Sequence, residues 1–510
     1  MTDQVLDSRV SLHSLSGSGY NTGGSLKVAL KEVVMVEETS SEGWTSREFG
    51  RRDLLAGMLS IGVSGAVLAA CSSSSTVKSR STVPSFPLGA ASRAKSKPVE
   101  ITVWQGMGAT NGKPLVYLTN QFNASQSDIH ATVVDQNNYT SLLTTYTAAL
   151  SGGTLPDIVQ METSDLQLMI DSDSAVPVQS AIDAERYSLS DYVPSAVNYF
   201  RVDDVLWALP FSISGEVLFY NKVAVEKAGL DPNDPPATLD ELRTWAEKIV
   251  STNTEKYGMS LKLTPSTFEE WMAMGGQTIT NHENGRNGRA TAATFDDSFG
   301  RSLFTWWNDM VKDKIAQTTS ATSYDDLFAI ESQIAPMTIE TSAAIGAAIY
   351  FLQSKPNPAL ALGIGPLPGP SSRNGGVFVG GSGLYIVKLR STPERQDAAW
   401  QYIKYLMQPS SQAYWAAQTG YIAVRKSAVS QPTLVQAWDS YPEYRVAYEQ
   451  ILASPANPAT AGYVSGASTG IDNAIEAGLT ALSSGTSPAA ALAQAARSAN
   501  SAISQYNSRV

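Results

Sequence analysis

The chain contains 510 residues and has a formal net charge of −11; 43% of its residues are hydrophobic and 16% are charged. This composition is typical of a globular protein with large cores, and the length allows about three units of ordinary domain size or two large lobes. The acidic charge and the lack of a long basic run argue against nucleic acid as a partner.

The only cysteine of the chain, Cys71, directly follows an apolar run near the N-terminus. Arg51 and Arg52 precede the uncharged residues 54–70, and the run ends in the small residues of the segment LAAC. A positive end, an apolar middle and a small-residue cleavage site indicate an export signal. LAAC resembles the lipobox of bacterial lipoproteins, which predicts a lipid on Cys71; a signal anchor with an incidental cysteine is the alternative.

Three segments are predicted to precede the folded body. Residues 1–50 form a long polar leader, in which Met35 is an alternative start because it lies at a more usual distance from the paired arginines. The export signal occupies residues 51–70, and its arginines resemble a twin-arginine signal, with the Sec route as the alternative. Residues 71–98 are Ser-rich and lack enough apolar side chains to pack, so we predict a lipid-anchored tether.

Strand and helix patterns alternate from residue 99 onwards. Residues 99–104 and 129–136 are predicted to be strands, and residues 156–161 a buried strand. Between them, the apolar spacing of residues 114–123 and 139–154 predicts two helices. Strands that alternate with helices in this way predict a parallel sheet.

Local signals continue through the rest of the chain. Thr238 and Glu241 predict a capping box at the start of a helix, and residues 281–293 are polar and rich in turn formers. Residues 375–387, GGVFVGGSGLYIV, predict a pair of strands interrupted by glycines. The alanine-rich residues 487–506 predict a terminal helix.

Five segments of residues 99–510 match a known order of motifs. They are ITVWQGMG, LPDIVQM, WALPFSISGEVLFYNKVAVEKAGLDPNDPPATLDEL, VGGSGLYIV and AAQTGYIAVRKSAV. Together they resemble the extracellular solute-binding proteins of bacterial ABC importers, the class that includes maltose-binding protein. The blocks at residues 210–230 and 418–429 are most similar to the binding proteins for glycerol-3-phosphate and glycerophosphodiesters.

The resemblance implies an α/β fold of the periplasmic-binding-protein type, in which two hinge-linked lobes enclose a ligand cleft. We expect lobe 1 to contain residues 99–209 and about 337–385, and lobe 2 residues 210–336 and about 386–510. The implied partners are a small-molecule solute (a sugar, a polyol or a glycerophosphodiester) and the ABC permease subunits. The protein is expected to be a monomer that is exported and held at the outer face of the cytoplasmic membrane only through its lipid anchor.

The resemblance also implies a set of ligand-binding residues. An acid after the third strand, Glu162, would receive polyol hydroxyls, and the helix start after the strand at 337–341 would offer backbone N–H groups to an anion. A glycine in VGGSGL would let the ligand approach the backbone. The full set is Tyr139, Glu162, Thr163, Ser214, Thr341, Ser342, Gly381 and Tyr421.

One departure from the family pattern concerns phosphate. The glycerol-phosphate binders grip phosphate with a late arginine, but the matching stretch here contains none and places Tyr463 or a neighbour in that position. Arginine is the preferred bidentate partner of phosphate. We therefore favour a neutral sugar or a glycerol-containing diester over free glycerol-3-phosphate. Candidates for an aromatic or apolar wall on the second lobe are Leu261, Leu263, Phe268 and Trp271.

Catalytic patterns are not evident in the sequence. His13, His130 and His282 show no spacing for a metal site, and no nucleophile motif or glycosidase acid pair stands out. The sequence therefore predicts a binding protein that is not an enzyme and needs no cofactor or metal. The alternatives are an exported glycoside hydrolase-like protein and a sensory or adhesive lipoprotein on the same fold.

Overall fold

The computed structural model describes residues 83–93, 97–354, 357–371 and 375–510. The leader, the export signal with Arg51 and Arg52, and Cys71 lie outside these residues, as does most of the tether. Among the residues that are described, none belongs to a helix that combines the length and apolar character needed to cross a bilayer.

The described strands form two large sheets and one hairpin. The first sheet has the order β2-β1-β3-β13-β4, with β7 also paired to β13, and the second has the order β10-β9-β11-β8-β12. The first sheet consists of β1 (Val99–Gln105), β2 (Ile129–Asp135), β3 (Ile158–Glu162), β4 (Ala175–Val176), β7 (Leu209–Ser214) and β13 (Gly380–Val387). The second consists of β8 (Glu216–Asn221), β9 (Met259–Lys262), β10 (Ala316–Thr319), β11 (Met337–Thr341) and β12 (Leu362–Pro366). The hairpin is β5 (Arg201–Val202) and β6 (Val205–Leu206).

Helices cover the faces of both sheets. Those that precede β9 are α1 (Ala90–Arg93), α2 (Gly108–Ser125), α3 (Tyr139–Leu150), α4 (Leu166–Asp171), α5 (Val178–Glu185), α6 (Pro194–Tyr199), α7 (Lys222–Lys227) and α8 (Leu239–Ser251). Those that follow β9 up to residue 354 are α9 (Pro265–Met274), α10 (Asn281–Gly285), α11 (Ser298–Lys312), α12 (Asp325–Glu331) and α13 (Ile345–Ser354). The remaining helices are α14 (Pro393–Leu406), α15 (Pro409–Thr419), α16 (Pro432–Ser440), α17 (Glu443–Ala453), α18 (Ser468–Ser483) and α19 (Pro488–Asn507).

The parallel pattern predicted at the start of the folded body is present. β1 pairs in parallel with β2 and β3, and α2 and α3 form the two crossovers between these strands. The capping box at α8 is also confirmed, because the Glu241 N–H donates to Thr238 Oγ1 at 3.2 Å and the Thr238 N–H donates to Glu241 Oε2 at 3.0 Å. Local patterns thus predicted these elements well.

The two sheets are the cores of two lobes, and the chain passes between them at Gly215, which joins β7 to β8. It returns to the first sheet between β12 and β13. Near the C-terminal end, α17 contacts elements of both lobes, and α18 packs on α9 and α11 of the second lobe. The α/β two-lobed fold expected from the sequence is therefore observed. Buried aromatic side chains fill both cores, including Trp400 in the first lobe and Trp271 and Trp307 in the second.

The expected division of the chain between the lobes needs correction. β11 pairs with β8 and β9, so residues 337–341 belong to the second lobe rather than the first. β12 pairs with β8, so residues 362–366 also belong to the second lobe. β7 pairs with β13 in the first sheet, so residues 210–214 belong to the first lobe rather than the second. Residues 386–419 belong to the first lobe as well, because α14 and α15 pack on β1 and α2. The sequence shows that a segment is a strand, but strand pairing decides which sheet it joins.

The strand pair predicted over residues 375–387 is only partly formed, because β13 begins at Gly380. The backbone before it bonds side chains instead of a neighbouring strand. The Val377 N–H donates to Ser454 Oγ at 3.0 Å, and the Phe378 N–H donates to Glu270 Oε2 at 2.9 Å. This stretch therefore serves as one of the links between the lobes.

Candidate functional site

The carboxyl ends of the parallel strands in both sheets open onto one cleft. β1, β2 and β3 end at Gln105, Asp135 and Glu162, and β9 ends at Lys262 in the other lobe. The residue after β11 lies against the crossover, since the Ser342 N–H donates to the Gly215 carbonyl at 2.9 Å. Ligands of open α/β sheets bind at such strand ends, so this cleft is the candidate site.

A buried network of polar side chains forms the base of the cleft in the first lobe. Gln160 Nε2 lies 2.9 Å from Ser212 Oγ, 2.8 Å from Ser382 Oγ and 3.3 Å from Tyr139 Oη. Tyr139 also donates to Ser382 Oγ at 3.2 Å. Since Gln160, Ser212 and Ser382 are inaccessible to solvent, the network fixes the position of the Tyr139 hydroxyl.

Tyr139 and Tyr421 meet through their hydroxyl groups, and Glu162 lies near both. Burial, followed by the neighbouring Tyr421, raises the pKa of Tyr139 well above its ordinary value. Burial likewise raises the pKa of Tyr421 to about 12. The Tyr421 ring is stacked on Trp415 with a centroid separation of 5.8 Å and an interplanar angle of 2°. Three of the residues expected from the sequence are thus brought together.

Glu162 is a protonated acid in this arrangement. Burial raises its pKa to about 8, and the nearby Asp165 and Asp472 add to the shift. At neutral pH the carboxyl group can therefore both donate and accept a hydrogen bond. A mostly neutral carboxyl group makes Glu162 a better partner for hydroxyl groups than for ions.

The other predicted residues of the first lobe have local partners. Thr163 opens a short 3-10 turn, Thr163–Asp165, and hydrogen-bonds Tyr199. Gly381 has φ +105, and a Cβ atom there would lie 1.8 Å from the Ser212 carbonyl oxygen. Pairing of β13 with β7 therefore requires this glycine, independently of any ligand. Ser214, which is mostly buried, is the last residue of β7 and pairs with Gly380.

The polar groups predicted at the helix start after β11 are already occupied. Thr341 Oγ1 accepts from the Ala343 N–H at 3.3 Å, and Ser342 Oγ accepts from the Gly215 N–H at 3.3 Å. The Ser342 N–H is bonded to the Gly215 carbonyl. The expectation of unbonded N–H groups for an anion is corrected here, because Thr341 and Ser342 join the turn to the crossover.

The second lobe contributes charged residues that sequence reasoning missed. Lys262 forms an ion pair with Glu340 on the adjacent strand β11, and its Nζ lies 5.3 Å from the Tyr324 ring centroid. Ser266 donates to Glu216 Oε1 at 2.8 Å, and burial followed by the nearby Glu340 raises the pKa of Glu216 to about 7. Lys262 and Glu340 end neighbouring strands, which only the sheet order reveals.

The wall of the second lobe also differs from expectation. Leu261, Phe268 and Trp271 are core residues with exposures of 2%, 1% and 0%, whereas Tyr324 is 49% exposed and close enough to Tyr421 to affect its pKa. Tyr324 is therefore the aromatic residue at the mouth of the cleft. Leu263 is partly buried against the core.

Comparisons with known proteins agree with this geometry. The sn-glycerol-3-phosphate-binding periplasmic protein UgpB of Yersinia pestis is 26% identical over 370 residues, which are 71% of this chain and 82% of that protein. UgpB of Mycobacterium tuberculosis in complex with glycerophosphocholine has a TM-score of 0.66 at 19% identity, covering 81% of this chain and 99% of that one. The sugar-binding protein MalE of Xanthomonas citri has a TM-score of 0.67 at 19% identity, covering 80% and 98%.

The sequence model of one family, described as bacterial extracellular solute-binding protein, matches residues 118–445. This stretch is more than half of the chain, and it includes the first-lobe cluster of Tyr139, Glu162 and Tyr421 together with the paired Lys262 of the second lobe. The chain therefore belongs to the bacterial extracellular solute-binding proteins.

Proposed function

We propose that this protein captures a neutral, hydroxyl-rich solute, a sugar or a polyol, and delivers it to the permease of an ABC importer. The observation that carries the proposal is the largely buried cluster of Tyr139, Glu162 and Tyr421. The two tyrosine hydroxyls are uncharged at neutral pH in any case, and the raised pKa of Glu162, about 8, keeps its carboxyl group mostly protonated. Uncharged groups that donate and accept hydrogen bonds match solute hydroxyls. The family membership supports a binding protein rather than an enzyme.

The cations near the cleft are engaged elsewhere, which disfavours a free phosphate monoester. Lys262 is paired with Glu340. Arg286 lies beside the segment of Tyr463 but directs its guanidinium at backbone carbonyls, with Nε 3.0 Å from Gly462 O. Tyr463, which stands at or next to the family's arginine position by the sequence prediction, donates to the Asp472 carboxylate. A doubly charged phosphate would therefore have to displace existing partners.

A glycerophosphodiester is the second candidate. It carries a glycerol group whose hydroxyls suit the same tyrosine and glutamic acid side chains, and only one negative charge. One comparison favours it directly, the structural neighbour in complex with glycerophosphocholine, and the relatives named as glycerol-3-phosphate-binding proteins share the glycerol-phosphate group. Both candidates use the cluster of Tyr139, Glu162 and Tyr421, so they differ in whether phosphate contributes to affinity.

We also propose that the protein is exported and attached to the outer face of the cytoplasmic membrane through a lipid on Cys71. The support is the order of Arg51, Arg52, the apolar residues 54–70 and LAAC. A neighbouring pair of permease genes would distinguish the importer role from a sensory or adhesive one.

A thermal-shift panel tests the proposed solute class, since a ligand that binds only the native state raises the melting temperature. The panel contains maltose, glucose, glycerol, glycerophosphocholine and glycerol-3-phosphate, each on the wild-type chain. We expect stabilisation by a neutral sugar or polyol, or by the diester. Stabilisation by glycerol-3-phosphate alone would contradict the proposal.

A further inference from the structure

Asp171 lies at the end of α4 in the first lobe and receives three donors from its surroundings, two of them from the second lobe. Arg289 binds it with two contacts, Nη1 to Oδ2 at 2.8 Å and Nη2 to Oδ1 at 2.6 Å. Tyr506, in the last helix α19, donates to Oδ2 at 2.7 Å. Such a bidentate arginine contact, reinforced by a hydroxyl, is among the stronger charged hydrogen bonds.

Each half of this contact is held in place within its own lobe. In the first lobe, Gln167 donates to Asp171 Oδ1 at 2.9 Å from the preceding turn of α4. In the second lobe, Asn507 donates to the Ala290 carbonyl at 2.9 Å, which joins α19 to the segment of Arg289. The contact of Asp171 with Arg289 and Tyr506 can therefore break and re-form without rearrangement inside either lobe.

The electrostatics favour the ionised contact. Burial alone would raise the pKa of Asp171, but the hydrogen bonds from Arg289, Tyr506 and Gln167 outweigh burial and hold that pKa below its ordinary value. The Asp171 side chain is only 9% exposed, while Arg289 is 37% exposed. In the closed arrangement, a carboxylate that is largely buried and lacks its cation is left without compensation, so removing one partner costs more there than breaking an ordinary surface ion pair.

A second contact between the lobes lies three residues before Arg289. Arg286 Nη1 is 2.7 Å from the Tyr199 carbonyl and 2.8 Å from the Arg201 carbonyl, both in the first lobe, while its Nε contacts Gly462. The turn before it, α10, has left-handed φ values of 54, 56 and 62 at His282, Glu283 and Asn284. A strained backbone of this kind persists where the surrounding structure enforces it. Here it orients the segment of Arg286 and Arg289 toward the first lobe.

We propose that Asp171, Arg289 and Tyr506 form a latch that stabilises the closed arrangement of the two lobes, so that part of the population is closed without bound solute. Arg286 is the inner contact between the lobes and the latch is the outer one. Asp171 acts as a positioning residue, since it touches none of the cluster of Tyr139, Glu162 and Tyr421 in the described contacts. The inference goes beyond the proposed function, because it does not depend on which solute enters the cleft.

The latch is tested by measuring the distance between the lobes without solute. Spin labels are attached to Thr140→Cys in the first lobe and Thr322→Cys in the second, both exposed positions at the cleft side of their sheets. The full chain carries Cys71→Ser, so that only the two labels react. Pulsed electron paramagnetic resonance then gives the populations of short and long distances.

We expect a short-distance population in this parent chain and, in Asp171→Asn, an open-to-closed ratio that is about five- to twentyfold larger. Arg289→Gln should give the same change, and the two substitutions together should add little, because each removes the same contact. Tyr506→Phe, which deletes one hydroxyl and leaves the ring on Gly466, should give an intermediate change.

The matched control is Asp173→Asn, which breaks an ion pair with Lys388 inside the first lobe, where the two groups are 2.5 Å apart. It should leave the distance distribution unchanged. Equal distributions in the parent, Asp171→Asn and Tyr506→Phe chains would overturn the latch, as would a parent chain that is fully open. Circular dichroism on each variant confirms that the comparison is between folded proteins.

Discussion

At the scale of single residues, the ionisation of Glu162 makes the stability of the protein depend on pH. Its pKa is raised from 4.5 to about 8 chiefly by burial, so the folded state holds a proton that the unfolded chain releases above its own pKa. The contribution of Glu162 to the free energy of unfolding is therefore fully present below about pH 4.5 and is lost as the pH rises through 8. Glu216, with a pKa of about 7, and Glu255, with a pKa of about 8, act in the same direction.

The corresponding prediction concerns Glu162→Gln, which keeps the shape of the protonated acid but cannot ionise. Between pH 5 and pH 8 its free energy of unfolding should decline less steeply than that of the wild type, as measured by urea unfolding at several pH values. Glu100→Gln, at an exposed position of β1, should keep the wild-type slope. Identical slopes for Glu162→Gln and the wild type would show that Glu162 is ionised in the native state.

Cys71 carries the prediction for membrane attachment. Cys71→Ala should release the protein from membranes, because the lipid has no other cysteine to join and several acyl chains are what hold such proteins firmly. The measurement is the fraction of protein that sediments with membranes after a carbonate wash, with Ser72→Ala as the control. Retention of Cys71→Ala on washed membranes would contradict lipidation.

The residues of the site show how far sequence reasoning reaches. Tyr139, Glu162 and Tyr421 were implied by the resemblance to the family, and their side chains do lie together in the structure. Gln160 and Ser382 were missed, because their roles depend on the antiparallel pairing of β13 with β3, which brings Ser382 opposite Glu162. The signal available in the sequence was a glutamine inside the otherwise apolar strand run IVQM.

At the scale of elements, periodicity and capping predicted most helices and strands but not their assignment to a sheet. β11 and most of β13 were both expected in the first lobe, yet β11 joins the second sheet and β13 the first. A left-handed turn at α10 was also beyond sequence reasoning, because His282 and Glu283 are ordinary residues in an unusual backbone conformation. Contacts between residues far apart in the sequence determine both the sheet that each strand joins and the conformation of this turn.

The pairing of β7 with β13 makes a prediction about two adjacent glycines. Gly381→Ala should lower the free energy of unfolding by about 3 kcal/mol or more, since φ is positive and the new Cβ would collide with the Ser212 carbonyl. Gly380→Ala, whose Cβ would have no neighbour nearer than 3.7 Å, should change stability far less. Chemical unfolding of both variants compares them, and equal effects would refute the assigned register.

At the scale of the whole molecule, the lobes touch through contacts of different kinds. Arg286 and the latch connect the lobes through polar contacts. In the cleft, Glu162 of the first lobe is mostly neutral, and Lys262 of the second lobe is paired with Glu340. A solute that bridges both lobes adds contacts only when they close, so binding and closure are one population shift. The sequence predicted two lobes, but the contacts between them arise from residues far apart in the chain.

The central claim, recognition of a hydroxyl-rich solute by Tyr139, Glu162 and Tyr421, is tested most directly by calorimetric titration with the solute that gives the largest thermal shift. The titration compares the wild type with Glu162→Ala and with Glu100→Ala as the exposed control. Because a hydrogen bond to a well-placed polar group is worth about 1.5 kcal/mol, Glu162→Ala should weaken binding about tenfold or more, and Glu100→Ala should not. Undiminished affinity in Glu162→Ala, or tight binding of glycerol-3-phosphate with no response to sugars, polyols or the diester, would contradict the account.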